Sequence, residues 1–186
     1  MFNVGILGHS LLVPYLPGGS HSSHRSNYGN YTINFYCSPN ATFKTILESS
    51  VISNLISSSP HLIILVLGCN DLGQNVSVKS VHDSLIYLVE YLKAICSPRF
   101  GVHILEPELR LCSSSMVNHK EYRALRNSLV RKIKVKRQVN FLPLTKFGFG
   151  TNENFLSSDG VHFNSRGYTR LLTVINHHIF TIIQTY

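Results

Sequence analysis

Apolar residues recur along this chain in two rhythms, short unbroken runs and longer stretches at helical spacing, and the two alternate. Phe2–Leu7 is an apolar run closed by Gly8, the pattern of a buried strand entering a tight turn. Residues 17–30 are polar and rich in Gly, Ser and His, which predicts a long loop. Tyr31–Tyr36 alternates and favours a second strand. Phe43, Ile46, Leu47, Val51 and Leu55 then fall at helical spacing, and Pro60 closes that helix. His61–Leu67 is unbroken and rich in branched residues, as in the middle of a parallel sheet. Ser80-x-x-Asp83 reads as a capping box, followed by a helix face of Val81, Leu85, Leu88, Leu92 and Ile95. Val102–Leu105 is a fourth strand, stopped by Pro107. Tyr122, Leu125, Leu129 and Ile133 mark a third helix, Val139–Leu142 a fifth strand, and Tyr168, Leu171, Ile175 and Ile179 a last helix.

Strands that alternate with helices predict an α/β protein, a three-layer α/β/α sandwich around a five-stranded parallel sheet. The length of 186 residues suits one domain, 1–186, with one core. Apolar residues at 44% against 14% charged exclude a disordered or fibrous chain. No apolar run reaches the roughly 18 residues of a membrane span. The start lacks a basic segment ahead of its apolar run, so no secretory signal is expected. Cys37, Cys69, Cys96 and Cys112 lie too far apart for a zinc or CxxC set. Reduced thiols follow, and with them an intracellular, cytoplasmic setting and no metal site.

In sheets of this kind the ligand crevice lies beyond the carboxyl ends of the strands. Chemistry is therefore expected in Gly8-His9-Ser10, in Gly68-Cys69-Asn70-Asp71 and in the loop before the last helix. Ser10 follows strand one through Gly8, whose freedom suits a sharp turn that exposes a nucleophile. Asn70 follows the strongest strand through Gly68, where a side-chain amide can donate to a developing oxyanion. In Asp159-Gly160-Val161-His162 a carboxylate three residues before an imidazole can hold Nδ1–H and leave Nε2 to take the serine proton. Singly these are weak signals; their shared position at strand ends joins them.

Three blocks together resemble the SGNH (GDSL-like) hydrolase family. Val4-Gly5-Ile6-Leu7-Gly8-His9-Ser10 resembles its first block, with His9 where Asp is usual. Leu67-Gly68-Cys69-Asn70-Asp71 resembles its GxND block. Ser158-Asp159-Gly160-Val161-His162-Phe163-Asn164, with Gly167 downstream, resembles its DxxH block. The resemblance implies a flavodoxin-like domain and a serine esterase that needs no cofactor. Ser10 would be the nucleophile, His162 the base and Asp159 its orienting carboxylate. The oxyanion hole would be the N–H groups of Ser10 and Asn40 and the amide of Asn70. Asn40, in Ser38-Pro39-Asn40-Ala41-Thr42, stands where the family has Gly, and Asn tolerates the left-handed region better than most residues. The substrate would be a short or medium acyl ester, acetyl or lipid, with specificity set by loops 11–30, 107–119 and 145–158.

Other polar residues have plainer readings. Asp71 and His9 are structural, Cys69 is a small packed residue, and His21 with His24 lack a third metal ligand. Between residues 119 and 137 eight bases face one acid, a local +7 that holds nearly all of the net +8. Lys120, Arg123, Arg126, Arg131 and Lys134 fall largely off the apolar stripe, as on a solvated helix face. A different reading makes the chain an interaction module that binds nucleic acid or an anionic membrane surface through Lys120, Arg123, Arg131, Lys132 and Lys134. Compact SGNH domains similar to this one occur in the first open reading frames of some LINE-type retrotransposons.

Overall fold

A computed structural model of the chain describes residues 1–15, 23–74, 76–108, 117–135, 139–149 and 153–185. The five apolar runs form parallel strands: β1 (Phe2–Gly8), β3 (Tyr31–Cys37), β4 (Leu62–Val66), β5 (Val102–Leu105) and β6 (Asn140–Leu142). The sheet has six strands, not five, in the order β2-β3-β1-β4-β5-β6. The addition is β2 (Ser23–Asn27), antiparallel to β3, inside the stretch expected to be loop. An edge strand bonds its backbone on one side only and needs no apolar run. Exposed Arg25 keeps that edge from pairing further.

The central strands are apolar throughout because both faces are covered. Ile63 and Leu65 join one core with the helices α1 (Phe43–Leu47), α2 (Ser50–Ser57), α4 (Val78–Cys96) and α5 (His119–Val135). Leu62, Ile64 and Val66 join the opposite core with α6 (Ser165–Thr185), through Leu171, Val174, Ile175 and Ile179. A short helix, α3 (Cys69–Gly73), follows β4. In register, Gly8 of β1 lies opposite both Cys37 and Val66. The segments after these three strands therefore leave the sheet at one edge.

Two helix boundaries differ from the sequence pattern. The helix expected over residues 43–55 is split, because the Ser49 hydroxyl and N–H both donate to the Ile46 carbonyl and end α1. The cap of α4 is Ser77, whose Oγ accepts from the Ser80 N–H at 3.1 Å. Ser80 lies inside the helix and Asp83 pairs with Lys79, so the expected capping box is not formed.

Among the described residues no helix is long and apolar enough to cross a membrane. Among the described residues Cys37, Cys69 and Cys96 form no disulfide with one another, and Cys112 lies outside those residues.

His103 of β5 and His178 of α6 share a hydrogen bond of 2.9 Å. Burial, then the neighbouring His103 and His177, pushes the His178 imidazole down from 6.5 to about 4. Between those values the unfolded chain binds the proton that the fold refuses, so stability rises with pH across that window. Acidification from pH 6.5 to 4 is expected to remove on the order of 2 kcal/mol through this group. Urea unfolding of wild type and His178→Leu checks this, since the variant should lose that part of the pH slope.

Candidate active site

The turn after β1 is built by crowding. A Cβ on Gly8 would lie 2.7 Å from the Val66 carbonyl oxygen and 2.8 Å from Val66 Cβ, so glycine is required there for room, not for a positive φ. The His9 carbonyl accepts from Leu12 N–H at 3.0 Å and from Cys37 Sγ at 3.1 Å. Burial pushes the Cys37 thiol up to about 12 and keeps it a donor. Ser10 follows at the start of a 3₁₀ turn, Ser10–Tyr15, and is partly exposed.

The loop before α6 is a tight turn. Gly160 has φ +65°, its N–H donates to Ser157 O, and Ser157 N–H donates to His162 O at 2.8 Å. Asp159 Oδ1 accepts from Ser157 Oγ at 2.6 Å, Val161 N at 2.8 Å and His162 N at 2.9 Å. Its Oδ2 lies 2.7 Å from His162 Nδ1. Desolvation works to raise the Asp159 carboxyl, but these hydrogen bonds outweigh it and hold the group below the usual carboxylate range. Asp159 is therefore an acceptor at neutral pH, which assigns the ring proton to Nδ1 and leaves the lone pair on Nε2. His162 Nε2 lies 3.2 Å from Ser10 Oγ, although the two residues are 152 positions apart in sequence.

The loop after β3 completes the edge. Asn40 is exposed and sits in the left-handed region, φ +58°, the conformation for which Asn is suited. Its turn is tied to β1 by Ser38 N–H donating to Gly8 O at 3.0 Å. Gly68 is left-handed, φ +106°, and turns the chain from β4 into α3. From α3, Asn70 Nδ2 donates to Ala41 O at 3.0 Å, and the next residue, Asp71, accepts from Phe43 N–H at 3.1 Å. Burial pushes the Asp71 carboxyl up to about 6. Its contacts fit the structural reading.

Sequence reasoning missed the segment after β5. Arg126, expected on the solvated face of α5, is buried. Its Nη2 lies 3.2 Å from Glu106 Oε1 and its Nε donates to Pro107 O at 2.8 Å. The signal was present, because Tyr122, Arg126, Leu129 and Ile133 share one helical stripe at spacings of four, three and four. Glu108 follows, buried, with its carbonyl accepting from Tyr122 Oη at 3.2 Å. Cys69 Sγ contacts Glu108 Oε2, and His9 Nε2 lies 3.7 Å from the same oxygen. His9, Cys69 and Glu108 are all buried and offer atoms within 4.8 Å of one another, the type and spacing of a metal-ligand set. Lys120, Arg123, Arg131, Lys132 and Lys134 are exposed on α5, as expected. His21 lies outside the described residues, as do parts of all three specificity loops; His24 stands on β2 opposite Phe35.

A mostly parallel sheet covered by helices on both faces, with its polar residues gathered beyond the carboxyl ends of the strands, defines a doubly wound α/β protein. The chain belongs to the GDSL-like lipase/acylhydrolase family, which residues 19–170 match. That span contains Asn70, Asp159 and His162 but not Ser10. The fold is similar to a lipase/acylhydrolase from Enterococcus faecalis, with TM-score 0.72 and 16% identity over 96% of this chain and 95% of that one. It is similar to the acetyl xylan esterase AlAXEase, with TM-score 0.72 and 12% identity over 96% of this chain and 100% of that one. An acetylxylan esterase from Geobacillus stearothermophilus gives TM-score 0.70 and 13% identity over 96% and 94% of the two chains. No curated protein matches the sequence. Family and fold neighbours together support hydrolysis of acyl esters.

Proposed function

We propose that this protein is a serine esterase that hydrolyses short or medium acyl esters, acetyl or lipid, through an acyl-enzyme. The observation that carries the reading is the continuous chain from Asp159 Oδ2 through the His162 ring to Ser10 Oγ, at 2.7 and 3.2 Å. Ser10 Oγ attacks the ester carbonyl carbon while His162 Nε2 takes the hydroxyl proton. The carbonyl π pair moves to oxygen, which receives hydrogen bonds from Ser10 N–H, Asn40 N–H and the Asn70 amide. Collapse of this intermediate expels the alcohol, which takes the proton from His162. Water then attacks the acyl-serine by the same path, and the carboxylic acid leaves. Asp159 stabilises the imidazolium in both halves. No step calls on a metal or an organic cofactor.

Turnover of nitrophenyl acetate tests this: the wild type should hydrolyse it, and a folded wild type without measurable turnover on acetyl, butyryl and octanoyl esters would overturn it. Asn70→Ala should lower kcat about 100-fold, roughly 3 kcal/mol of barrier, through loss of one oxyanion donor. A stopped assay on the variant, with circular dichroism as control for folding, measures this.

A second reading attaches to α5, where all five cations named are exposed along one helix. We propose it as a polyanion-binding face. Binding to single-stranded nucleic acid should fall steeply with salt and with charge reversal at Arg131 and Lys132. No binding at low salt would remove this reading.

A further inference from the structure

The trio of His9, Cys69 and Glu108 lies directly behind the proposed site, and its members come from three strand ends. His9 precedes Ser10 and Cys69 precedes Asn70, so both neighbours of one carboxylate oxygen are joined by a single peptide bond to a proposed reacting group. The segment that carries Glu108 is fastened from behind: the Glu108 backbone carbonyl accepts from Tyr122 Oη, the Pro107 carbonyl accepts from Arg126 Nε, and Glu106 Oε2 accepts from Thr145 N–H and Oγ1 at 2.8 and 2.9 Å.

A buried imidazole, thiol and carboxylate could either bind a metal or share protons, and the protonation of His9 separates the two. His9 Nδ1 faces the Leu11 N–H at 3.4 Å, so Nδ1 is the acceptor and the ring proton resides on Nε2, on the side of Glu108. A metal at Nε2 would need the opposite tautomer, with Nδ1–H directed at the Leu11 N–H. The geometry favours the second: Glu108 Oε2 accepts the Cys69 S–H, and the His9 ring faces the same oxygen at 3.7 Å, a contact longer than a hydrogen bond.

We infer that Glu108 is a positioning residue for the esterase reaction: through Cys69 and His9 it fixes the separation between the Asn70 amide and the Ser10 hydroxyl. This rests on the serine-esterase reading. It gives that reading a cause for precise spacing between two segments that are 60 residues apart and that follow β1 and β4. A displacement of about 1 Å between nucleophile and oxyanion donor is enough to lower the rate by about 100-fold while leaving substrate binding nearly intact.

The test compares Glu108→Leu, which removes both carboxylate oxygens at similar volume, with Glu108→Gln, which can place its single amide oxygen between the two donors. The Leu variant should lose about 10- to 100-fold in kcat with KM within about twofold. The Gln variant should recover most of that loss. Cys69→Ala should lower kcat and Cys69→Ser, which keeps a donor, should largely retain it. This second pair decides the matter if Glu108→Leu does not fold. Unchanged kcat in folded Glu108→Leu, or equal kcat in Cys69→Ala and Cys69→Ser, would overturn the inference. So would a stoichiometric metal ion in the purified wild type that is lost from Glu108→Gln. Wild-type turnover on the same esters is the control that reports on the esterase reading itself, so failure of one is told apart from failure of the other.

Discussion

A Ser10→Ala protein is expected to fold as the wild type does and to lose about 10⁴-fold or more in kcat on a nitrophenyl ester. On the proposed mechanism, loss of the Ser10 hydroxyl removes the acyl-enzyme route altogether, and what remains is water attack assisted by the proposed oxyanion donors and by substrate binding. The fold should tolerate the change. Ser10 is partly exposed at the sheet edge and its hydroxyl meets His162, which is itself on a half-exposed loop. The turn depends instead on Gly8 and on hydrogen bonds from the Leu12 N–H and the Cys37 thiol to the His9 carbonyl. Steady-state kinetics with urea unfolding as control measures both halves. A folded Ser10→Ala protein that retains a tenth of the activity would leave Ser10 without its assigned role.

The second large effect is on stability. Arg126→Ala is expected to destabilise the protein by about 3–5 kcal/mol, read as a lower urea midpoint at unchanged slope. Glu106 and Arg126 are both almost wholly buried, and the pair is held at 3.2 Å. Truncation leaves the Glu106 carboxylate in the interior with the Thr145 donors but without its countercharge, and it also frees the Pro107 carbonyl. Replacing both members with neutral residues of similar volume, as in Glu106→Gln with Arg126→Met, should recover a large share of the loss, because the uncompensated charge is then gone. A loss below about 1 kcal/mol for Arg126→Ala would mean that water reaches Glu106 and that the pair is weaker than its burial implies.

How much of this was legible in the sequence follows from what each residue depends on. The five parallel strands were readable because burial on both faces forces unbroken apolar runs, of which Leu62–Val66 is the plainest. The edge strand β2 was not, because Ser23–Asn27 is polar and its pairing with β3 is a backbone property. Ser10, Asn70 and the Asp159–His162 turn were readable as candidates because they follow or precede strongly patterned elements, and the register of Gly8 against Cys37 and Val66 then brings the strand ends together. Asn40 was placed by resemblance, and its left-handed backbone fits the reason given for Asn. The residues behind the site were missed for another cause. Arg126 was counted as a surface charge although it occupies the apolar stripe of α5, and Glu106 and Glu108 lie in the short segment after β5 where no periodicity exists. Buried charges at such points pair across the tertiary structure, so no local pattern announces them.

The most direct measurement of the central claim asks whether the protein activates one particular hydroxyl, whatever its natural substrate. Folded wild-type protein treated with a fluorophosphonate at neutral pH, then digested and mapped by mass spectrometry, should carry one adduct, on Ser10. The adduct should be absent from His162→Ala protein, which lacks the proposed base. No adduct on Ser10, or equal labelling of Ser10 in wild type and His162→Ala, would contradict the account.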